Sequence, residues 1–288
     1  MILTLPLPPK VLRDSVSAHL PWATHGEWVA LFGGRTNCAW HVTGQDATQS
    51  AVLKLYRAPA RNPLFPNDPA AEAALLDHLA TTNIAPQLIA HFQTEIGTCN
   101  LYQAIPGTPW SSGVTDVANL MQRLHAIAPP SGLRQSPNGS DAILAHADKI
   151  LSMCHSTAAL HGLRPKGTVP PTDHPALLHC DIVPGNLIQN ETGLHLIDWQ
   201  CPAIGDPAED IAVFLSPAMQ ILYRGEALQT SDVNQFLDTQ EKAQAIRYRM
   251  LAPFYHYRMA AYCLWQSQND RPDYAEGYAA ECAALQAC

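Results

Sequence analysis

The segment Leu177–Asp210, LLHCDIVPGNLIQNETGLHLIDWQCPAIGDPAED, constrains this chain more than any other stretch. His179, Asp181 and Asn186 stand as H-x-D-x-x-x-x-N, and twelve residues after Asn186 comes Asp198, behind the short apolar run Leu194, Leu196, Ile197. A loop followed by a hairpin thus supplies a carboxylate, a carboxamide and a second carboxylate. Oxygen donors of this kind suit a hard divalent cation, and one of the carboxylates can serve as a base. Alone, the pattern fits several kinds of metal site. Further on, Asp206-Pro207-Ala208-Glu209 reads as N-cap, first-turn proline and N3 glutamate of a capping box that opens a helix through Leu215.

Composition narrows the classes of partner. With 288 residues the chain is long enough for one large domain or two smaller ones sharing a cleft. A net charge of −8 and the lack of Lys/Arg clusters argue against nucleic acid or an anionic membrane as the main partner. No stretch approaches the roughly 18 apolar residues of a membrane span, and the N-terminus lacks a basic region followed by a long apolar core, so a cytoplasmic protein is expected. The cysteines, Cys38, Cys99, Cys154, Cys180, Cys201, Cys263, Cys282 and Cys288, form no C-x-x-C pair and signal neither a zinc ribbon nor a disulfide framework.

After an amphipathic segment at Val11–Leu20, the first third reads as strands Trp28–Phe32, Cys38–Val42, Ala51–Tyr56, Gln87–Phe92 and Asn100–Ile105, about five in an antiparallel sheet. Between the first two lies Gly33-Gly34-Arg35-Thr36-Asn37, a turn whose glycines let backbone N–H groups approach an anion. It fits neither the Walker loop nor G-x-G-x-x-G. Lys54 interrupts an apolar strand, and Glu72 lies in the first turns of a helix over Ala70–Leu79. Pro106-Gly107 ends the fifth strand and divides the chain into 1–105 and 106–288. The later part is helical. Thr115–Ala128, capped by Thr115 or Asp116, carries an apolar stripe, Ser140–His161 offers another helix, and the chain from Thr230 onward is helical with an interruption or kink at Pro253. Tyr255, Tyr257, Tyr262 and Trp265 lie within about three turns and serve either as core or as an aromatic cage.

The ordered set resembles the aminoglycoside phosphotransferase and choline kinase superfamily, whose members carry H-G-D-x-x-x-x-N and I-D-W or I-D-F. Here these read His179-Cys180-Asp181 to Asn186 and Ile197-Asp198-Trp199, with a G-G-x-T-N turn at 33–37 and Gly205-Asp206-Pro207. The resemblance implies an α+β, protein kinase-like bilobal fold: a small antiparallel sheet lobe with one helix, then a larger, mainly helical lobe. It implies transfer of the γ-phosphoryl group of ATP to a small-molecule alcohol, with magnesium. Gly33, Gly34, Arg35, Thr36 and Asn37 would then cradle the nucleotide, Lys54 would hold the phosphates with Glu72 orienting it, and the backbone of Gln103 and Ile105 would bond adenine. Asp181 would orient the acceptor hydroxyl or take its proton, Asn186 and Asp198 would bind magnesium, and His179 and Asp210 would brace the loop. The turn and the aromatics Trp199, Tyr255, Tyr262 and Trp265 tilt the acceptor toward a choline-like amino alcohol. Cys180 stands where the family has glycine. Two other readings stay open: a non-catalytic binder on the same fold, and a metal-dependent hydrolase using His179, Asp181, His195 and Asp198.

Overall fold

The structure, a computed structural model, describes residues 6–31, 37–46, 48–56 and 62–288. Its contacts group into two compact units. The first comprises Met1–Asn62, Pro66–Thr108 and His195–Cys201; the second comprises Pro63–Phe65, Pro109–Leu194 and Pro202–Cys288. A division by chain order, 1–105 and 106–288, differs from this mainly in the segment His195–Cys201, which is distant in sequence from the rest of the first unit.

In the first unit, α1 (Lys10–His19) leads through a 3₁₀ turn at Pro21–His25 into β1 (Glu27–Leu31), β2 (Cys38–Thr43) and β3 (Ser50–Tyr56). Then follow α2 (Pro69–Leu79), β4 (Leu88–Thr94) and β5 (Gly97–Gln103), and the five strands pair antiparallel in the order β1-β2-β3-β5-β4. Side chains alternate between the faces of a strand, so one face of β2 and β3 takes Cys38, Trp40, Val42, Ala51 and Leu53 into a core with Leu12 and Val16 of α1. The register puts Leu31, Ala39, Lys54 and Asn100 side by side on the other face, with Val29, His41, Val52 and Tyr102 in the next row. α2 starts where Asp68 accepts from the N–H groups of Ala70 and Ala71, with Pro69 at the first helical position.

The chain leaves this unit through β6 (Thr108–Pro109), and the second unit opens with α3 (Val114–His125). Gly113, in a left-handed conformation, precedes α3 in place of the expected Thr115 or Asp116 cap. β7 (Arg134–Gln135) is followed by α4 (Ser140–Leu151) and the short α5 (Ala158–His161). The single helix expected over 140–161 is thus two, and Ser156, at φ 55°, lies in the break. β8 (Ala176–Leu178) delivers the His179 loop, which runs through β9 (Leu187–Asn190) into β10 (Gly193–Leu196) and so back to the first unit. β11 (Ala203–Gly205) pairs between β7 and β8 and leads to α6 (Ala208–Leu215), α7 (Pro217–Arg224), α8 (Thr230–Thr239), α9 (Lys242–Ser267) and α10 (Tyr274–Ala287). α9 continues through Pro253 rather than breaking there; it packs on α4, α6 and α10, and that burial outweighs the lost backbone bond. No described helix is long and apolar enough to cross a membrane.

Candidate active site

Three of the charged residues singled out in the sequence meet inside the first unit. The Lys54 ammonium, on β3, donates to Oε2 of Glu72 on α2 at 2.7 Å and to Oδ1 of Asp198, just past β10. An ammonium has three N–H donors, so one remains for another anion. Lys54 and Glu72 are buried, whereas the Asp198 side chain is 30% exposed and is the open side of the cluster. Burial opposes the lysine's charge, but the Asp198 and Glu72 carboxylates outweigh it and hold its pKa above the ordinary value. Burial pushes the Glu72 carboxyl up; the Lys54 ammonium pulls it back and the Asp198 carboxylate adds to the rise. Asp198 sits at φ 63°, a left-handed conformation that aspartate tolerates better than most residues. The next side chain closes this turn, as the indole N–H of Trp199 donates to the Leu196 carbonyl at 2.9 Å.

Sequence reasoning missed the polar groups behind that cluster. The Tyr56 hydroxyl donates to Oε2 of Glu72, and its ring lies 4.9 Å from the Lys54 ammonium. Asn100 Nδ2 donates to the Tyr56 hydroxyl and to the Pro69 carbonyl, both at 3.1 Å. The signal available was Tyr56 two residues after Lys54, hence on the same strand face. Asn37 joins a second polar group. Its Nδ2 donates to Oδ1 of Asn67 at 3.0 Å and to Oε1 of Gln200 at 2.8 Å, while its Oδ1 accepts from Nδ2 of Asn67 at 2.8 Å. The Asn37 side chain is therefore spent on tying the start of β2 to the approach to α2 and to the segment after Asp198. Gly33, Gly34, Arg35 and Thr36 lie outside the described residues. At the end of β5 the N–H of Gln103 donates to the Gln87 carbonyl at 2.9 Å, and no described hydrogen bond engages the N–H of Ile105.

The second unit holds the His179 loop. Its anchor is Asp210 on α6, fully buried, which accepts from the backbone N–H of His179 at 3.1 Å, from that of Cys180 at 2.7 Å and from Nε2 of His125 at 3.0 Å. His179 Nδ1 accepts from the Asp181 N–H at 3.2 Å, so its proton is on Nε2. Asn186 donates through Nδ2 to the Asp181 carbonyl at 2.9 Å. That bond fixes the amide's direction and leaves Oδ1, which accepts no described hydrogen bond, as the oxygen a metal can use. Cys180 is buried at φ 63°, the conformation glycine takes without strain, and burial pushes its thiol pKa up. A cysteine therefore holds the same loop path and contributes its N–H to Asp210.

α6 is itself held from α9. Asp206 accepts from the Ala208 N–H at 3.1 Å, as a capping aspartate does, and from Nε of Arg247 at 2.7 Å. Glu209 does not reach back to complete a capping box; Arg258 takes it instead in a buried two-pronged pair, with Nη1 to Oε2 at 3.0 Å. The aromatics considered for an acceptor are mostly enclosed. Trp199 is fully buried in the first unit. In the second, Tyr262 makes edge contacts with Phe65 and Tyr274 and stacks on Trp265, and Tyr255 lies under the Arg258 guanidinium. Only Trp265 of the four keeps part of its surface open. Among the described residues no three His, Cys, Asp or Glu side chains gather as a metal cluster.

Comparison with known proteins places these motifs in context. The model of the phosphotransferase enzyme family matches residues 27–254. A choline kinase from Cryptosporidium parvum Iowa II has a similar fold, with TM-score 0.68 at 14% identity over 96% of this chain and 94% of that one. Spectinomycin phosphotransferase, in complex with ADP and spectinomycin, gives TM-score 0.59 at 14% identity over 98% and 95%. A putative fructosamine-3-kinase from Haemophilus somnus 129PT gives TM-score 0.59 at 15% identity over 96% and 97%. The α+β fold is thus that of the protein kinase-like small-molecule kinases. No curated protein sequence matches the chain.

Proposed function

The chain belongs to the phosphotransferase enzyme family, and from that premise we propose that it moves the γ-phosphoryl group of ATP to a hydroxyl of a small molecule. The observation that carries this reading is the buried Lys54 ammonium, held between Glu72 and Asp198 with a donor to spare. Phosphoryl transfer needs charge neutralisation and alignment more than covalent help, and such an ammonium neutralises phosphate oxygens without having to reorganise. The ADP bound to the similar spectinomycin phosphotransferase supports a nucleotide donor.

In this reading the purine lies against the face of the sheet that carries Lys54, where Val29 and Leu31 stay 50% and 40% exposed beside Ala39 and Val52. The Gln103 carbonyl and Ile105 N–H offer an acceptor and a donor, the complement of the adenine amino group and N1. Guanine presents the reverse pair, so ATP is the expected donor over GTP. Asp198 and Asn186 Oδ1 would hold magnesium, one anionic and one neutral oxygen suited to an ion that keeps phosphate ligands. Bound there, the ion would neutralise charge on the transferring phosphoryl group. Asp181 aligns the acceptor hydroxyl. As the new O–P bond forms and the bond from Pγ to the bridging oxygen breaks, the hydroxyl proton passes to the Asp181 carboxylate and ADP departs with the bridging oxygen.

For the acceptor we propose an amino alcohol of the choline type, supported by the G-G-x-T-N pattern at 33–37 and by likeness to a choline kinase. The test is ATP consumption across a panel of amino alcohols, aminoglycosides and other hydroxylated metabolites, with Asp181→Ala and Asp198→Ala as controls. Turnover with one acceptor class, falling about 10²–10⁴-fold in Asp181→Ala, is the expected result. Full activity in both variants would refute the site assignment.

A further inference from the structure

We infer that Tyr56 is a positioning residue for phosphoryl transfer, the third member of what is otherwise a lysine–glutamate pair. The direction of each hydrogen bond follows from chemistry. The Pro69 carbonyl can only accept, so the Asn100 atom facing it is the amide nitrogen. That nitrogen can only donate, so the Tyr56 oxygen accepts from Asn100 at 3.1 Å. A phenol has a single proton, and its remaining partner is Oε2 of Glu72. The series continues outward, where Nδ1 of His91 donates to Oδ1 of Asn100 at 2.6 Å. All the donors thus point one way, from β4 through β5 and β3 to the carboxylate on α2.

Oε2 of Glu72 consequently receives two donors, the Tyr56 hydroxyl and the Lys54 ammonium. The backbone N–H of Trp199 also bonds this carboxylate, so the Tyr56 hydroxyl acts together with two other donors. A second donor from the same strand helps select one oxygen and one orientation, and the Tyr56 ring beside the ammonium restricts the lysine as well. With Glu72 and Asp198 taking two N–H groups, the direction of the third is set, and that is the one available to a phosphate. Glu72 is 1% exposed and Asn100 0% exposed, so water cannot substitute for the hydroxyl if it is lost.

This inference rests on the phosphotransfer reading, and the experiment separates the two. Tyr56→Phe keeps the ring and deletes only the hydroxyl. With the best acceptor from the panel, we expect kcat to fall about tenfold while the KM for ATP changes less than twofold, and Tyr56→Phe added to Glu72→Gln should cost nothing further. A wild-type kcat in Tyr56→Phe, or losses that multiply in the double variant, would overturn the proposal. Protein labelled with ¹³C at the tyrosine ζ position provides a readout that needs no turnover. The Tyr56 resonance, identified by its absence from Tyr56→Phe, should shift in Glu72→Gln, and an unmoved resonance would overturn the proposal whatever the kinetics. If the wild type turns over no acceptor while Lys54→Met and wild type bind ATP equally, the phosphotransfer reading fails, and the role assigned to Tyr56 in it fails too.

Discussion

Cys180 shows how much of this site is backbone. Its left-handed φ and its N–H bond to Asp210 are what the loop requires, and a non-glycine residue there costs about 1–3 kcal/mol. Cys180→Gly removes that strain but gives up a buried thiol and adds freedom to the unfolded chain, about 0.5–1 kcal/mol. The terms nearly cancel, so the melting temperature and activity should stay close to wild type. Cys180→Val, branched at Cβ, should lose more than about 2 kcal/mol in denaturant titration, and equal stability of the two variants would contradict this account. Lys54, Glu72 and Asp198, which the structure brings together, were legible in the sequence because each is a charged side chain at a fixed place in an ordered pattern; Asp181 and Asn186 were singled out from the same pattern. Tyr56, Asn67, Asn100 and Gln200 were not, because an amide or a phenol acquires its meaning only from the partner that folding brings to it.

At the scale of the elements, polar ties do what apolar stripes cannot. The reciprocal amides of Asn37 and Asn67, with Gln200 accepting the spare N–H, join three separate segments of the first unit, and no periodicity announces such a join. The same holds for α4. Its His146 donates through Nε2 to the Pro63 carbonyl at 2.9 Å, and its buried Nδ1 has no hydrogen-bond partner among the described residues. Burial lowers the His146 pKa, and the nearby Arg258 charge lowers it further. The folded state therefore binds this proton less readily than the unfolded chain, which titrates near pH 6.5. Stability from this group is complete above about pH 6.5 and is lost as pH falls from there toward the depressed folded value, at up to about 1.4 kcal/mol per pH unit. His146→Gln, which retains a donor for Pro63, should flatten that decline in urea midpoints measured from pH 7 to 5. An identical slope would show that another group is responsible.

Across the whole molecule, the strands and most helices could be read from alternation and helical spacing. The continuity of α9 through Pro253 could not, since tertiary burial decides it, and neither could the break at Ser156, a left-handed residue in an exposed connection that helical spacing does not mark. The division into units was the least legible feature, because it depends on where His195–Cys201 packs. It also predicts where ligand binding should register. Magnesium-ATP at about 100 times its dissociation constant stabilises by about 2.7 kcal/mol. Hydrogen exchange should slow in β3, in α2 and over residues 195–201 together, because Lys54, Glu72 and Asp198 share one unit. Protection confined to the second unit would contradict the placement of the nucleotide on Lys54.

The return of those seven residues, His195–Cys201, also limits how the chain can be divided. A fragment ending at Thr108 would keep Lys54 and Glu72 but lose both Asp198 and Gln200, leaving one counter-charge for the ammonium and removing one acceptor from Asn37. Its sheet would be intact in sequence and its site incomplete. Truncation, domain exchange or split-protein complementation at that junction would therefore separate pieces that are contiguous in the site but not in the gene, and a self-sufficient nucleotide module would have to carry residues 195–201 along with it.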